Sequence, residues 1–187
     1  MGKIKYGIKN VYYAIATQGT DSSGDMTYTY GTPVAMPGAV SMSLQAAGDS
    51  LDEYADDILW FHDTANNGYT GTLEMEVIPD DFLTNVMGMT EDSASGKITE
   101  KSTDTHKEFA LLGEFTFGGD TVTGKRFAMY RCIASRPDVS GTTKGASIEA
   151  QHDSINITCM PRPTDNAVKA TCVSSDTAWS SWFSSVS

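Results

Sequence analysis

Apolar and polar residues alternate most regularly between Thr72 and Ile78. This two-residue period predicts a half-buried β-strand, because successive side chains of a strand point to opposite faces. Asn67-Gly68, shortly before it, favours a turn. The strand is predicted to end on its polar side at Ile78. Its apolar face consists of Leu73, Met75 and Val77, and its polar face of Thr72, Glu74 and Glu76.

A short helix is predicted directly after this strand. Pro79 suits a first helical position, and Asp80 and Asp81 place negative charge near the unpaired N-terminal amides. Gly88 provides a C-terminal stop. The helix is predicted to bury one apolar stripe, formed by Phe82, Leu83, Val86 and Met87.

Alternation elsewhere predicts further strands, at 11–17, 40–46, 107–117, 125–135, 155–159 and 168–172. A turn at 118–120 makes the third and fourth of these a hairpin. The strand at 107–117 is predicted to carry Phe109, Leu111, Phe115 and Phe117 on one face. A change of phase near His152, between Ile148 and Ile155, predicts a bulge or a change of partner sheet. Polar loops are predicted at 18–25, 90–107 and 140–145.

The segment 48–62 is ambiguous, because acidic residues interrupt an otherwise β-prone run. We interpret it as two extended pieces joined by a turn at Asp56-Asp57. A helix through residues 51–60 is the competing interpretation.

About eight strands, one short helix and several long polar loops predict a mainly β protein. The expected architecture is an antiparallel β-sandwich or partial barrel with one short flanking α-helix and long loops. Residues 1–176 form the predicted domain, and 177–187 a Ser-rich tail with Trp179, Trp182 and Phe183. These aromatic residues either pack back onto the domain or dock on another subunit.

Charge and composition narrow the classes of function. The 187 residues include 24 acidic and 13 basic ones, for a formal net charge of −11, which disfavours tight nucleic-acid binding. No apolar run approaches the ~18 residues of a membrane-spanning helix. The three cysteines lie within strand-like runs, which predicts buried free thiols and a reducing compartment.

No catalytic motif is apparent in the sequence. It contains no Cys-x-x-Cys, no His-Glu-x-x-His and no phosphate-binding Gly loop. Glu74 and Glu76 share a predicted face, which we interpret as a solvated outer face rather than a catalytic cleft. We therefore assign no catalytic, cofactor-binding or metal-binding residue, expect no cofactor and predict that the chain is not an enzyme.

Two short motifs stand out, Tyr-Ala-Asp-Asp at 54–57 and Ile-Pro-Asp-Asp-Phe at 78–82, together with the segments at 5–14, 30–40, 66–71, 107–112 and 134–137. These segments resemble the major tail proteins of long-tailed, non-contractile bacteriophages. They occur in that family's order and span about residues 5 to 163.

The resemblance implies a structural subunit of the virion tail, assembled in the cytoplasm of a bacterial host. Such subunits form hexameric rings that stack into a hollow tube for genome ejection, with long loops or terminal arms binding the next ring. The implied partners are copies of the chain and other tail proteins, namely the tape measure, terminator and distal tail proteins. DNA would be met only in transit, and no membrane is implied.

The resemblance also implies roles for specific residues. Glu74 and Glu76 become candidates for an acidic lumen face, and segments 18–38 and 48–62 become candidate inter-subunit loops. The candidate inter-subunit side chains are Tyr28, Tyr30, Met36, Tyr54, Trp60, Trp179, Trp182 and Phe183. The alternative hypothesis is a carbohydrate- or host-binding β-sandwich of a virion, with Trp60, Tyr69 and the terminal tryptophans stacking on sugars.

Overall fold

A computed structural model describes residues 4–119, 122–145 and 150–186. These residues form thirteen strands, one short α-helix and one 3₁₀ helix at Thr177–Ser181. The elements are β1 (Ile4–Thr20), β2 (Met26–Tyr30), β3 (Val34–Ala35), β4 (Ala39–Ala46), β5 (Ser50–Ala55), β6 (Ile58–Thr64), β7 (Tyr69–Met75), α1 (Asp80–Asn85), β8 (Thr90–Asp92), β9 (Lys97–Thr99), β10 (Phe109–Gly118), β11 (Gly124–Ala134), β12 (Asp153–Met160) and β13 (Lys169–Val173).

Most strands belong to one antiparallel sheet in the order β2-β1-β10-β11-β12-β7-β4. The sheet forks at β11, whose first half pairs with β13 and whose last four residues pair with β12. Two small hairpins, β5–β6 and β8–β9, stand apart from it. The predicted mainly β, antiparallel fold with one short helix is confirmed, and over the described ranges the strands do not close into a barrel.

The core lies on both faces of β10, because its residues alternate between two buried clusters. Phe109 and Leu111 belong to the main cluster, which α1 and β7 complete. Ala110 and Leu112 point the other way, into a smaller cluster that the C-terminal segment covers. Phe109, Leu111 and Phe115 thus lie on one face, as predicted, and the opposite face is buried as well. All three cysteines are buried free thiols, as predicted.

The predicted strand and helix in the middle of the chain are confirmed, with one correction between them. Leu73 and Met75 are fully buried, but β7 ends at Met75 and the chain bends at residues 76 and 77. Val77 is consequently 68% exposed, whereas Ile78 is buried, the reverse of their predicted positions.

Helix α1 packs its apolar stripe into the core, as predicted. The Phe82 ring lies edge-on to the rings of Tyr13 and Phe109, at centroid distances of 5.3 and 5.5 Å. The helix ends at Asn85; Val86 and Met87, which follow it, are also buried, and Gly88 after them has φ at +78°.

Other predicted boundaries also change. Residues 18–20 were predicted as loop but extend β1 and pair with β2, and β8 and β9 form a small hairpin inside the predicted loop at 90–107. The thirteen strands exceed the eight predicted, mainly because these short pairs were missed. Two predicted features fall partly outside the described residues, the turn at Asp120 and the bulge involving Ile148.

Glu114 is the buried carboxylate of this sheet, at 4% exposure. Arg126 Nε lies 3.0 Å from its Oε2, Asn10 donates to the same oxygen at 3.2 Å, and Lys9 Nζ lies 3.3 Å from Oε1. Burial raises the pKa of Glu114, but the hydrogen bonds from Arg126 and Asn10 and the charge of Lys9 outweigh it. The net result is a pKa below the ordinary value of 4.5.

This shift predicts an acid-dependent loss of stability. A native pKa below the unfolded one stabilises the fold above the unfolded pKa, and this stabilisation is lost as the pH falls through the native pKa. We expect Glu114→Gln to cost about 1–3 kcal/mol at pH 7 and to flatten the pH dependence at acid pH, measured by urea unfolding. Glu91→Gln, at an exposed site on β8, is the control. If the free energy of unfolding of Glu114→Gln fell as steeply with decreasing pH as that of the wild type, this assignment would be contradicted.

Candidate functional site

A long hairpin leaves the sheet at its edge and projects from the domain. β4 and β7 pair within the sheet up to Ala46 and Tyr69, and the same two chain segments continue outward as β5 and β6. Backbone hydrogen bonds join the two parts, from Ala47 N to Gly68 O at 2.9 Å and from Ala65 N to Asp49 O at 3.0 Å. The projecting hairpin is therefore an ordered extension of the sheet.

Gly48 makes this continuation possible. Its φ is +148°, and a Cβ built on it would lie 1.8 Å from the carbonyl oxygen of Ala65. A side chain there would force the two strands apart where the hairpin leaves the sheet.

The tip of the hairpin is a two-residue turn at Asp56 and Asp57. Ala55 pairs directly with Ile58, and the two aspartates have φ angles of +52° and +60°. Positive φ at both central residues is the mark of a type I′ turn, which matches the twist of the flanking strands. The predicted turn is confirmed, and the alternative of a helix through residues 51–60 is wrong.

Every residue of β5 and β6 is exposed. Large apolar patches on a single chain mark interaction sites, because water-exposed apolar surface is unfavourable. The exposed side chains include six large hydrophobic ones, with exposed fractions between 49% and 70%: Leu51, Tyr54, Ile58, Leu59, Trp60 and Phe61. The hairpin therefore contributes little to the core of its own domain and is the strongest candidate interface in the described ranges.

Cross-strand pairing divides these side chains between two faces. Glu53 pairs with Phe61 and Tyr54 with Leu59, so that Trp60 is the extra residue of a β-bulge. We call one side the Phe61 face; it carries Leu51, Glu53, Ala55, Ile58, Phe61 and Asp63. The other is the Tyr54 face; it carries Asp52, Tyr54, Leu59 and His62.

The acidic residues of the two faces differ in their partners. On the Tyr54 face, Asp52 and His62 form a hydrogen bond across the strands. On the Phe61 face, neither Glu53 nor Asp63 has a cationic partner among the residues that the structure describes. The Phe61 face thus combines exposed apolar side chains with two unneutralised carboxylates.

Glu74 and Glu76 lie at the end of β7 that is away from this hairpin, in different surroundings. Glu74 is half-buried and accepts a hydrogen bond from Ser41 Oγ at 2.5 Å. Glu76 follows the end of β7 and is exposed, with Oε1 3.6 Å from His152 Nε2. Their assignment to a lumen face stays a prediction.

The predicted inter-subunit side chains are placed in two different environments. Tyr54 and Trp60 project from the hairpin, 69% and 70% exposed. Met36 and Tyr28 are instead buried in their own domain, so in this structure they offer no surface to a partner.

Tyr28 and Tyr30 are held by contacts within the chain. The hydroxyl of Tyr28 donates to Glu108 at 2.6 Å, and that of Tyr30 donates to the carbonyl oxygen of Tyr130 at 2.9 Å. Burial raises the pKa of both phenols, that of Tyr30 to about 12. The residues next to these tyrosines in the sequence do not indicate these hydrogen bonds, because the partners lie 80 to 100 residues away.

The aromatic tail folds back onto the domain, which is one of the two alternatives left open by the sequence. Phe183 stacks on Tyr12 at a centroid distance of 4.6 Å, and Trp182 Nε1 donates to the carbonyl oxygen of Phe127 at 3.3 Å. The Arg126 guanidinium lies over the Trp179 ring, 3.8 Å from its centroid, and also donates to the carbonyl oxygen of that residue. Trp182 and Phe183 therefore complete the smaller core cluster, and Trp179 is held against the domain by Arg126.

Sequence reasoning missed four of the hairpin's six large apolar residues as interface candidates, namely Leu51, Ile58, Leu59 and Phe61. A usable signal was present. Polar residues stand on both alternating faces of β5 and among the last residues of β6, so neither strand has a purely apolar face to bury in its own domain.

Comparison of the sequence with models of known protein families gives no match, and no curated protein is significantly similar to it. Within residues 4–119, 122–145 and 150–186, no helix is long and apolar enough to cross a membrane. The same described ranges hold no group of three or more His, Cys, Asp or Glu side chains arranged to bind a metal ion.

The exposure of the hairpin predicts that its apolar residues do not stabilise the monomer. We expect Trp60→Ser with Phe61→Ser to change the free energy of unfolding of dilute protein by less than about 0.5 kcal/mol, measured by urea denaturation. Phe82→Ala, in the core, is the comparison and should cost about 3–5 kcal/mol. A loss of similar size in the hairpin variant would mean that the hairpin packs on its own domain in solution.

Proposed function

We propose that this chain is a structural subunit that assembles with copies of itself into stacked rings of six, forming a tail tube through which DNA leaves a virion. The observation that carries the proposal is the projecting β5–β6 hairpin, ordered by a type I′ turn and exposed on both faces. An exposed apolar projection of this kind is unfavourable in an isolated monomer and becomes favourable when a partner covers it.

Three further observations support a self-assembling tube subunit. The fold is a mainly antiparallel β-sheet with one flanking helix, as the segmental resemblance to tail proteins implies. The segment 48–62, an expected inter-subunit loop, coincides with most of the projecting hairpin. The net charge of −11 suits a conduit that lets DNA pass without holding it, because like charges repel.

The alternative of a carbohydrate-binding module has less support. Trp60 is exposed enough to stack on a sugar ring, but it stands beside Leu59 and Phe61 rather than beside a polar cleft. Tyr69 is half-buried and accepts a hydrogen bond from Lys169 Nζ at 2.8 Å, and Trp179 and Trp182 are engaged with the domain.

Electron microscopy and sedimentation of the purified protein test the proposed function. We expect rings or tubes from the wild type at high concentration. Trp60→Ser with Phe61→Ser should remove them, because the variant takes apolar area away from the interface. Val77→Ser, which changes an exposed apolar residue outside the hairpin, is the matched control and should assemble normally.

Two results would contradict the proposal. One is a wild type that stays monomeric at every concentration. The other is binding to a glycan array without self-assembly, which would favour the carbohydrate-binding alternative.

A further inference from the structure

A groove beside the base of the hairpin carries the opposite charge to the hairpin. It encloses about 510 Å³ between β4 and β7 on one side and β10, β11 and β13 on the other. Lys5, Lys125 and Lys169 line it, together with Phe115, Phe127 and Tyr69, and within the described ranges no acidic residue does. We call this the lysine groove.

Among the residues that the structure describes, the three lysines have no acidic partners of their own. Lys5 Nζ lies 4.5 Å from the centroid of the Phe115 ring, and Lys169 Nζ lies 4.6 Å from that of Tyr69. Across the part of the chain that the structure describes, none of the three forms a salt bridge. The lysine groove is therefore a basic region, lined also by apolar side chains, in a chain that has 24 acidic and 13 basic residues.

The hairpin has the complementary composition. Residues 49–63 contain six acidic residues and neither lysine nor arginine. None of the hairpin's residues lines the groove of its own chain. The groove is therefore available to a hairpin from another molecule.

We propose that the Phe61 face of one subunit's hairpin docks in the lysine groove of a second copy of the chain. Leu51, Ile58 and Phe61 would cover the apolar floor of the groove. Glu53 and Asp63, the carboxylates without cationic partners, would meet its lysines in a partly desolvated site, where charge-assisted contacts are strong. This inference rests on the proposed function, since it names the surface that receives the hairpin.

The proposed contact joins two different surfaces, so it is heterologous. A heterologous contact repeats from subunit to subunit and either closes a ring or continues as a helical filament. It thus yields the class of assembly that a tube needs, whereas hairpin-to-hairpin pairing would bring like charges together and stop at a dimer.

Paired charge reversal tests the contact. We expect Glu53→Lys with Asp63→Lys, and separately Lys125→Glu with Lys169→Glu, to weaken self-association at least about tenfold by sedimentation, because like charges then face each other. A 1:1 mixture should restore association to near the wild-type level, since each reversed surface meets its complement in the other variant. Lys97→Glu with Lys144→Glu, at exposed sites outside the groove, is the control and should associate normally.

A second measurement does not depend on stable assembly. Isotopically labelled and unlabelled wild-type chains are mixed, and a carbodiimide joins carboxylates to contacting amines. Mass spectrometry should find mixed-label links from the hairpin acids to the groove lysines.

Failure of this inference and failure of the proposed function are distinguishable. The inference alone would be overturned by three results together. The wild type forms rings or tubes, the 1:1 mixture of charge-reversed variants does not regain association, and the mixed-label cross-links do not involve the groove lysines. Neither assembly nor any mixed-label link would overturn both. Mixed-label links to the groove without rings or tubes would support the docking contact and contradict the tube.

Discussion

β4 and β7 approach each other so closely at Gly71 that a Cβ there would lie 1.8 Å from the carbonyl oxygen of Ser43. Two parts of the molecule depend on this close pairing. At one end it holds β7 so that Leu73 and Met75 enter the core beneath α1. At the other end the same two segments carry β5 and β6 out into solvent. The core and the projecting hairpin are thus two ends of one strand pair.

The hairpin exposes large apolar side chains to water, but it also carries acidic residues that oppose aggregation. Six large apolar side chains in water favour association at about 25 cal/mol per Å² buried. The six acidic residues between 49 and 63 oppose indiscriminate association, because charged residues on an exposed strand pair discourage pairing with an identical pair. In our proposal, the partner surface is both apolar and basic, so it covers the apolar side chains of the hairpin and also neutralises its acidic residues.

Local signals in the sequence were sufficient for the elements that are fixed by neighbouring residues. Pro79 with two aspartates marked the start of α1, and Asp56-Asp57 marked the turn of the hairpin. The alternation around Leu73 identified β7, but the bend at residues 76 and 77 ended it early and exchanged the positions of Val77 and Ile78.

Features made by residues distant in the chain were beyond this reasoning. Met36 was an expected interface residue, yet it is buried in a core built mainly by later strands. The second face of β10 is covered by a tail more than 60 residues away. The lysine groove brings together Lys5, Lys125 and Lys169, which no local pattern connects. This long-range packing decides which apolar residues are buried and which stay exposed. The local sequence therefore predicted the turn and the two extended pieces of the hairpin, but it did not predict that the hairpin projects with its apolar residues exposed.

The central claim is that the β5–β6 hairpin is an independent projection that only another copy of the chain covers. Amide hydrogen exchange of residues 50–64, followed in dilute and in concentrated protein, tests it most directly. An isolated two-stranded hairpin opens easily, so we expect fast exchange in dilute protein compared with β10 and β11, and slowing by at least about tenfold on assembly. Exchange of these amides that is equally slow at all concentrations, or equally fast in assembled material, would contradict the account.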